Sequence, residues 1–142
     1  AQLIRFQFPK VRSLSTTKLA KWLNSSNLPL LLDARNADEY NVSHLENARL
    51  FDPNQIEDYP KDAAIVVYCS VGYRSAKVAK KLQEQGFSNV WNLEGSIFRW
   101  ANEQRSLYDS TGNLTTWVHP YNAQWGKLLK PEHRYEQFNS SL

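Results

Sequence analysis

At 142 residues the chain is long enough for one domain built round a single hydrophobic core. With 42% apolar and 22% charged residues and a net charge of +3, its composition is that of an ordinary globular protein, which excludes disordered and fibrous classes. The basic residues are scattered (Lys10, Arg12, Lys18, Lys77, Lys127 and others) and form no dense run, so nucleic acid is not an expected partner.

The single cysteine, Cys69, rules out an internal disulfide and a cysteine-rich zinc site. His44, His119 and His133 are too dispersed to suggest a metal cluster, so neither a metal nor a cofactor is expected. The longest apolar runs, Leu28–Leu32 and Ala63–Tyr68, are far too short to span a bilayer, and no membrane partner is expected. Residues 1–10 alternate polar and apolar and contain no secretion-signal core. An unpaired thiol suits a reduced compartment, which predicts a cytoplasmic location.

In chain order, Ser15 reads as an N-cap, followed by Leu19, Ala20, Trp22 and Leu23 at helical spacing, with Asn24–Asn27 as the stop. Leu28–Leu32 is a short apolar run ending at Asp33, as a strand buried on both faces reads. A short helix over Asn36–Val42, capped by Asn36 or Asp38, and a strand over Ala48–Phe51 follow. Ala63–Tyr68 is the strongest strand signal, β-branched and without charge, and it runs directly into Cys69. From Ser75 the pattern turns helical, with Ala76, Val78, Ala79 and Leu82 on one face and Gly86 as the stop. A strand over Asn89–Leu93 and a helix through Ile97–Ala101 complete the alternation, which predicts an α/β fold with a mostly parallel central sheet flanked by helices. From about Asp109 periodicity is weak, and an irregular C-terminal arm is expected.

Ligands of open parallel sheets bind beyond the carboxyl ends of the strands. Two buried runs end in polar groups there: Leu30–Leu32 in Asp33-Ala34-Arg35, and Ile65–Tyr68 in Cys69. The segment Cys69-Ser70-Val71-Gly72-Tyr73-Arg74-Ser75 joins a strand to a helix start, where unpaired N–H groups and the helix dipole favour an anion. With Gly72 at positive φ the loop can curl its amides towards the sulfur. Arg74 would add a positive charge, and the expected result is a reactive thiolate. A lone cysteine at a strand end is otherwise commonly an inert core residue.

The same residues carry a family resemblance. Cys69–Ser75 resembles the active-site loop of rhodanese-like sulfurtransferases. Leu32-Asp33-Ala34-Arg35 with Glu39-Tyr40 looks like that family's first strand-end motif, Ser43–Ala48 is similar to its Gly-His-Ile-Pro-Gly-Ala turn, and Leu93–Trp100 looks like its closing Leu-Glu-Gly-Gly segment. The motifs stand in family order over about residues 11–101. The resemblance implies a rhodanese-like domain over 1–106 with its core at about 11–101, and the weakly periodic 107–142 is expected to pack on it as an arm. It also implies sulfur transfer through a Cys69 persulfide, from a donor such as thiosulfate to cyanide or a thiol, with room for a protein acceptor. Ser70, Val71, Gly72, Tyr73, Arg74 and Ser75 would bind the substrate, and Asp33 and Arg35 would support the loop or form a structural ion pair.

The departures from the pattern are Ser43, Glu46, Asn47 and Ser96, each standing where the family usually has Gly or Pro. Ser70 and Val71 are uncharged where thiosulfate specialists often carry a base, so weak thiosulfate turnover is expected. Two alternatives stand beside the enzyme: a non-catalytic sulfur-carrier or interaction module, and a cysteine phosphatase or arsenate reductase. Tyrosine-phosphatase-type loops place five residues between Cys and Arg, whereas Cys69 and Arg74 are separated by four. Trp117, His119, Pro120, Tyr121 and Trp125 of the arm are expected to cover an apolar face of the domain.

Overall fold

The computed structural model describes residues 2–135. Strands β1 (Arg12–Leu14), β2 (Leu30–Asp33), β3 (Arg49–Leu50), β4 (Ile65–Tyr68) and β5 (Val90–Leu93) form one parallel sheet in the order β1-β5-β4-β2-β3. All four residues of β4 are buried, which is why that segment is apolar throughout. The pleat sends alternate side chains to opposite faces. Val66 and Tyr68 join Leu14, Leu31 and Leu93 in one apolar layer, while Ile65 and Val67 join Leu32 and Val90 in the other.

Helices α2 (Thr16–Leu23) and α5 (Ser96–Asn102) cover the first layer through Leu19, Ile97, Phe98, Trp100 and Ala101. Helix α4 (Tyr73–Glu84) covers the second through Ala79 and Leu82. Each fully buried Leu, Ile or Val stabilises the fold by roughly 1.5–3 kcal/mol, so the two layers together outweigh any single surface contact. The caps follow the sequence: Ser15 Oγ accepts from the Lys18 N–H at 3.1 Å. Asn36 opens α3 (Ala37–Val42), and the Glu39 carboxylate reaches back to the Asn36 N–H at 3.2 Å.

Boundaries move by a residue or two. The second strand runs Leu30–Asp33 because Leu28 and Pro29 precede the pairing with β4, and α4 starts at Tyr73 with Gly72 as its N-cap. Periodicity misses two elements outright. One is α1 (Gln2–Gln7), whose Leu3 and Phe6 are exposed and whose place is set by contacts with the loop described below. The other is β1, three residues long and recognisable only through its pairing with β5.

The arm also has more structure than its sequence suggests. A hairpin of β6 (Leu107–Tyr108) and β7 (Leu114–Thr115) is tied to the turn after α3 by paired backbone hydrogen bonds between His44 and Tyr108. A short helix α6 (Ala123–Gly126) follows. Among the arm residues it is Leu107, Val118 and Leu129 that enter the first apolar layer, with Trp125 packed against it. Trp117 and Tyr121 stay largely exposed at 44% and 42%, contrary to the expectation that the aromatics as a group seal an apolar face. Among the described residues no helix is long and apolar enough to cross a membrane.

Candidate active site

The parallel register sets Asp33 beside Tyr68, so the polar ends of β2 and β4 share one sheet edge. From that edge the loop curls back on its own cysteine. Gly72, at φ +115°, turns its N–H to Cys69 Sγ at 3.1 Å. The Ser75 N–H reaches the same sulfur at 3.4 Å and the Ser75 hydroxyl at 3.3 Å. Three donors from the first turn of α4 thus converge on one atom, and such a ring favours negative charge at its centre.

Other peptide groups of the loop are anchored from outside, which fixes its curl. The Ile97 and Phe98 N–H groups at the start of α5 donate to the carbonyls of Cys69 and Ser70, at 3.1 and 3.0 Å. The Gly72 carbonyl is gripped by Asn92 Nδ2 at 3.0 Å. Asn92 Oδ1 also accepts from the Ser75 hydroxyl at 2.6 Å. One hydroxyl proton serves one acceptor at a time, so Ser75 can donate to Asn92 while the sulfur carries a proton and swing to the sulfur once it is anionic.

A Cβ at Gly72 would make only ordinary contacts, with Ile4, Asn92 and Ser96 all at 3.5 Å or more, so its requirement is conformational rather than steric. Gly72→Ala is therefore expected to leave the fold nearly intact while turning one amide from the sulfur. A fall in kcat/KM of roughly 10–100-fold follows by analogy with the loss of one anion-stabilising donor. Steady-state sulfur transfer beside a thermal melt checks this, and full activity at unchanged Tm would refute it.

The remaining loop residues divide. Val71 is half-buried against the first apolar layer. Tyr73 meets Phe8 edge-to-face at 5.9 Å, and the exposed Lys77 ammonium lies 4.7 Å from the Tyr73 ring centroid. Ser70 and Arg74 turn to Glu39, a buried carboxylate on α3. Arg74 Nη1 and Nη2 donate to its two oxygens at 2.9 Å each, and Nη2 donates to Ser70 Oγ at 2.8 Å. Burial pushes the Glu39 carboxyl up, but the Arg74 hydrogen bonds and charge outweigh it and hold the group below its ordinary value. Arg74 is thus not the uncompensated cation that the sequence suggested.

Asp33 and Arg35 pair with each other rather than with the loop. Arg35 Nε and Nη2 bind the two Asp33 oxygens at 2.9 and 2.7 Å, both side chains are fully buried, and Nη2 also holds the Ser43 carbonyl at 2.7 Å. That is the geometry of a structural ion pair. His44 stacks on Tyr40 with ring centroids 3.9 Å apart, and its Nδ1 lies 3.0 Å from the Tyr40 carbonyl, which makes it a local brace.

Three residues of the site were not singled out from the sequence. Asn92 is a polar residue in the middle of a buried strand, which was the available signal. Glu39 was visible only as a motif letter. Ser96 was noted as a departure, and the structure gives its reason: it is buried at φ 51°, and its hydroxyl accepts from the Cys69 N–H at 3.2 Å while donating to the Leu93 carbonyl at 2.9 Å. Asn47, another departure, also has a left-handed backbone at φ 63°.

Cys69 itself is fully buried. Helix α1 lies over the loop, with Ile4 facing Gly72, Arg5 paired with Glu94 at 2.7 Å and Phe8, just past its end, on Tyr73. The arm approaches from elsewhere, with Tyr121 centred 4.5 Å from the Arg74 guanidinium and His119 Nε2 3.4 Å from Asp38.

The rhodanese-like domain model matches residues 15–103. Over 105 residues the chain is 30% identical to the probable adenylyltransferase/sulfurtransferase MoeZ of Mycobacterium tuberculosis, covering 70% of this chain and 27% of that protein. Over 86 residues it is 37% identical to the tRNA uridine(34) hydroxylase of Escherichia coli, covering 54% of this chain and 25% of that protein. The chain therefore spans about a quarter of the length of these curated relatives. The crystal structure of a rhodanese-like domain protein from Staphylococcus aureus superposes with a TM-score of 0.58 at 26% identity, covering 74% of this chain and 99% of that one. The matched stretch takes in strands β2 to β5, the cysteine loop and the helix that braces it, and on that ground the chain belongs to the rhodanese-like domain family.

Proposed function

We propose that the protein is a sulfurtransferase that carries sulfane sulfur as a persulfide on Cys69. The observation that carries this is the convergence of the Gly72 and Ser75 amides and the Ser75 hydroxyl on Sγ at 3.1–3.4 Å. An inert core cysteine needs no such donors. In the first half-reaction the thiolate attacks the outer sulfur of thiosulfate, the S–S bond of the donor breaks, and its electron pair leaves on sulfite. Cys69–S–S⁻ forms with the charge on the outer sulfur, where N–H and O–H donors favour it. In the second, cyanide or a thiolate attacks that outer sulfur, the new S–S bond breaks, and the pair returns to Cys69 as thiolate.

No second cysteine is present in these 142 residues, so the nucleophile that removes the sulfur comes from outside them. No general base is needed if the thiolate is already formed. Sγ is buried and α1 lies over the loop, so a donor reaches the sulfur once α1 shifts. A protein acceptor suits this arrangement as well as a small thiol does.

The test is intact mass after thiosulfate and again after cyanide. A gain of one sulfur atom, reversed by cyanide, supports the proposal; an unmodified Cys69 under both conditions refutes it. Thiosulfate is expected to be a weak donor, and the structure narrows where that can be changed. Ser70 is buried against Glu39 and Arg74, whereas Val71 is only half-buried and makes no hydrogen bond through its side chain. Val71→Lys is expected to lower the thiosulfate KM about threefold or more by supplying a nearby cation. An unchanged KM in folded protein would count against a charge-limited donor site.

A further inference from the structure

Arg74 is the only cation of the Cys69–Ser75 loop, and its guanidinium is occupied on an edge and a face. The edge chelates both Glu39 oxygens at 2.9 Å and also donates to Ser70 Oγ at 2.8 Å. The face lies 4.5 Å from the Tyr121 ring centroid. Glu39 is 1% exposed, so water does not compete for its oxygens, and a buried carboxylate of this kind keeps its counter-ion because separation would leave an unpaired charge. Glu39 is also anchored from its own helix by the Asn36 N–H. Cation and anion in contact act on a distant charge as a dipole, whose attraction fades faster with distance than that of a lone cation. The exposed Lys77 beside Tyr73 stands in water, where screening weakens it.

Resting on the sulfur transfer proposed above, we infer that Glu39 is a specificity-determining residue: by pairing with Arg74 it cancels the loop's positive charge, so that a second negative charge on the sulfur donor gains nothing. The site then accepts singly charged sulfane donors as readily as the dianion thiosulfate. The charge on the persulfide rests on the backbone amides and Ser75, which Glu39 does not touch. The sequence offers Arg74 as an anion ligand; the tertiary contact with α3 withdraws it.

Two donors that differ in charge separate this from a bracing role. Thiosulfate, with two negative charges, and methanethiosulfonate, with one, each deliver one sulfur to the Cys69 thiolate as their S–S bond breaks, releasing sulfite and methanesulfinate respectively. Cyanide takes the sulfur from the persulfide in both assays. In the wild type the two KM values are expected to agree within about threefold. In Glu39→Gln, which keeps the shape but frees the Arg74 charge, the thiosulfate KM is expected to fall about fivefold, the methanethiosulfonate KM by clearly less, and kcat to stay within about twofold for both. A thiosulfate KM that is unchanged or raised overturns the inference, and so does a common fall in kcat for both donors, which is what a merely structural residue gives. Should Glu39→Gln fail to fold, the wild type alone decides: a preference for thiosulfate in KM above about tenfold overturns the inference, and parity supports it. Absence of sulfur transfer from either donor in folded wild type overturns the sulfurtransferase function itself, and the role of Glu39 with it.

Discussion

Cys69→Ser is expected to take up no sulfur from thiosulfate and to form thiocyanate at least about 10³-fold more slowly than the wild type. The substitution replaces one atom in a fully buried position whose hydrogen-bond donors, Gly72 and Ser75, remain in place. A serine hydroxyl is smaller and can still accept from those donors, so the fold should survive with a thermal midpoint close to that of the parent. What disappears is the nucleophile. A hydroxyl stays protonated in this setting, no base stands by to remove its proton, and a neutral hydroxyl is a far poorer nucleophile than a thiolate. Thiocyanate formation read at the iron complex, together with intact mass, measures both losses. Turnover within about tenfold of the wild type in a folded Cys69→Ser protein would remove Cys69 from the reaction and with it the persulfide.

The second large effect is on stability. Arg35→Met is expected to destabilise the fold by about 3–5 kcal/mol, because it leaves the Asp33 carboxylate buried without its counter-ion. Asp33 is fully enclosed, and Arg35 gives it two hydrogen bonds from the side chain and a third from its own N–H at 3.0 Å. The same guanidinium holds the Ser43 carbonyl, so the turn that leads from α3 to β3 loosens as well. A domain of this size has a total stability on the order of 5–15 kcal/mol, so much of it would be gone. Replacing both partners, as in Asp33→Asn with Arg35→Met, is expected to cost less than Arg35→Met alone, since an uncharged amide is cheaper to bury than a lone carboxylate. Urea unfolding of the three proteins measures this ordering. Activity per folded molecule should stay within about threefold of the wild type, as befits a pair that does not reach the sulfur; a loss in kcat without a loss in stability would instead make the pair part of the site.

Much of the architecture is legible in the sequence. The runs Leu30–Leu32 and Ile65–Tyr68 announce buried parallel strands because both their faces lie in apolar layers, and a side chain that meets apolar neighbours on either side has to be apolar itself. Ser15 and Gly72 announce a helix start and a left-handed turn because each residue satisfies a local backbone demand that needs no partner from far away in the chain. By contrast α1, β1 and the folded arm were illegible. Their residues gain regular structure from the loop, from β5 and from the turn after α3, and no local period reports such partners.

The site divides along the same line. Sequence by itself determined the place of the proposed nucleophile, the curl of the loop round it and the sheet edge where it stands, since strand, glycine and helix start are consecutive in the chain and their backbone geometry follows from local rules. Only the tertiary structure decided what each charge does. Glu39 lies 35 residues from Arg74 and cancels it, Asn92 lies 17 residues from Ser75 and orients it, and Tyr121 comes from the arm to cover the guanidinium. Electrostatic pairing acts through space and leaves no period in the chain, so a residue's type tells which charge it carries, while only the fold tells which charge it meets.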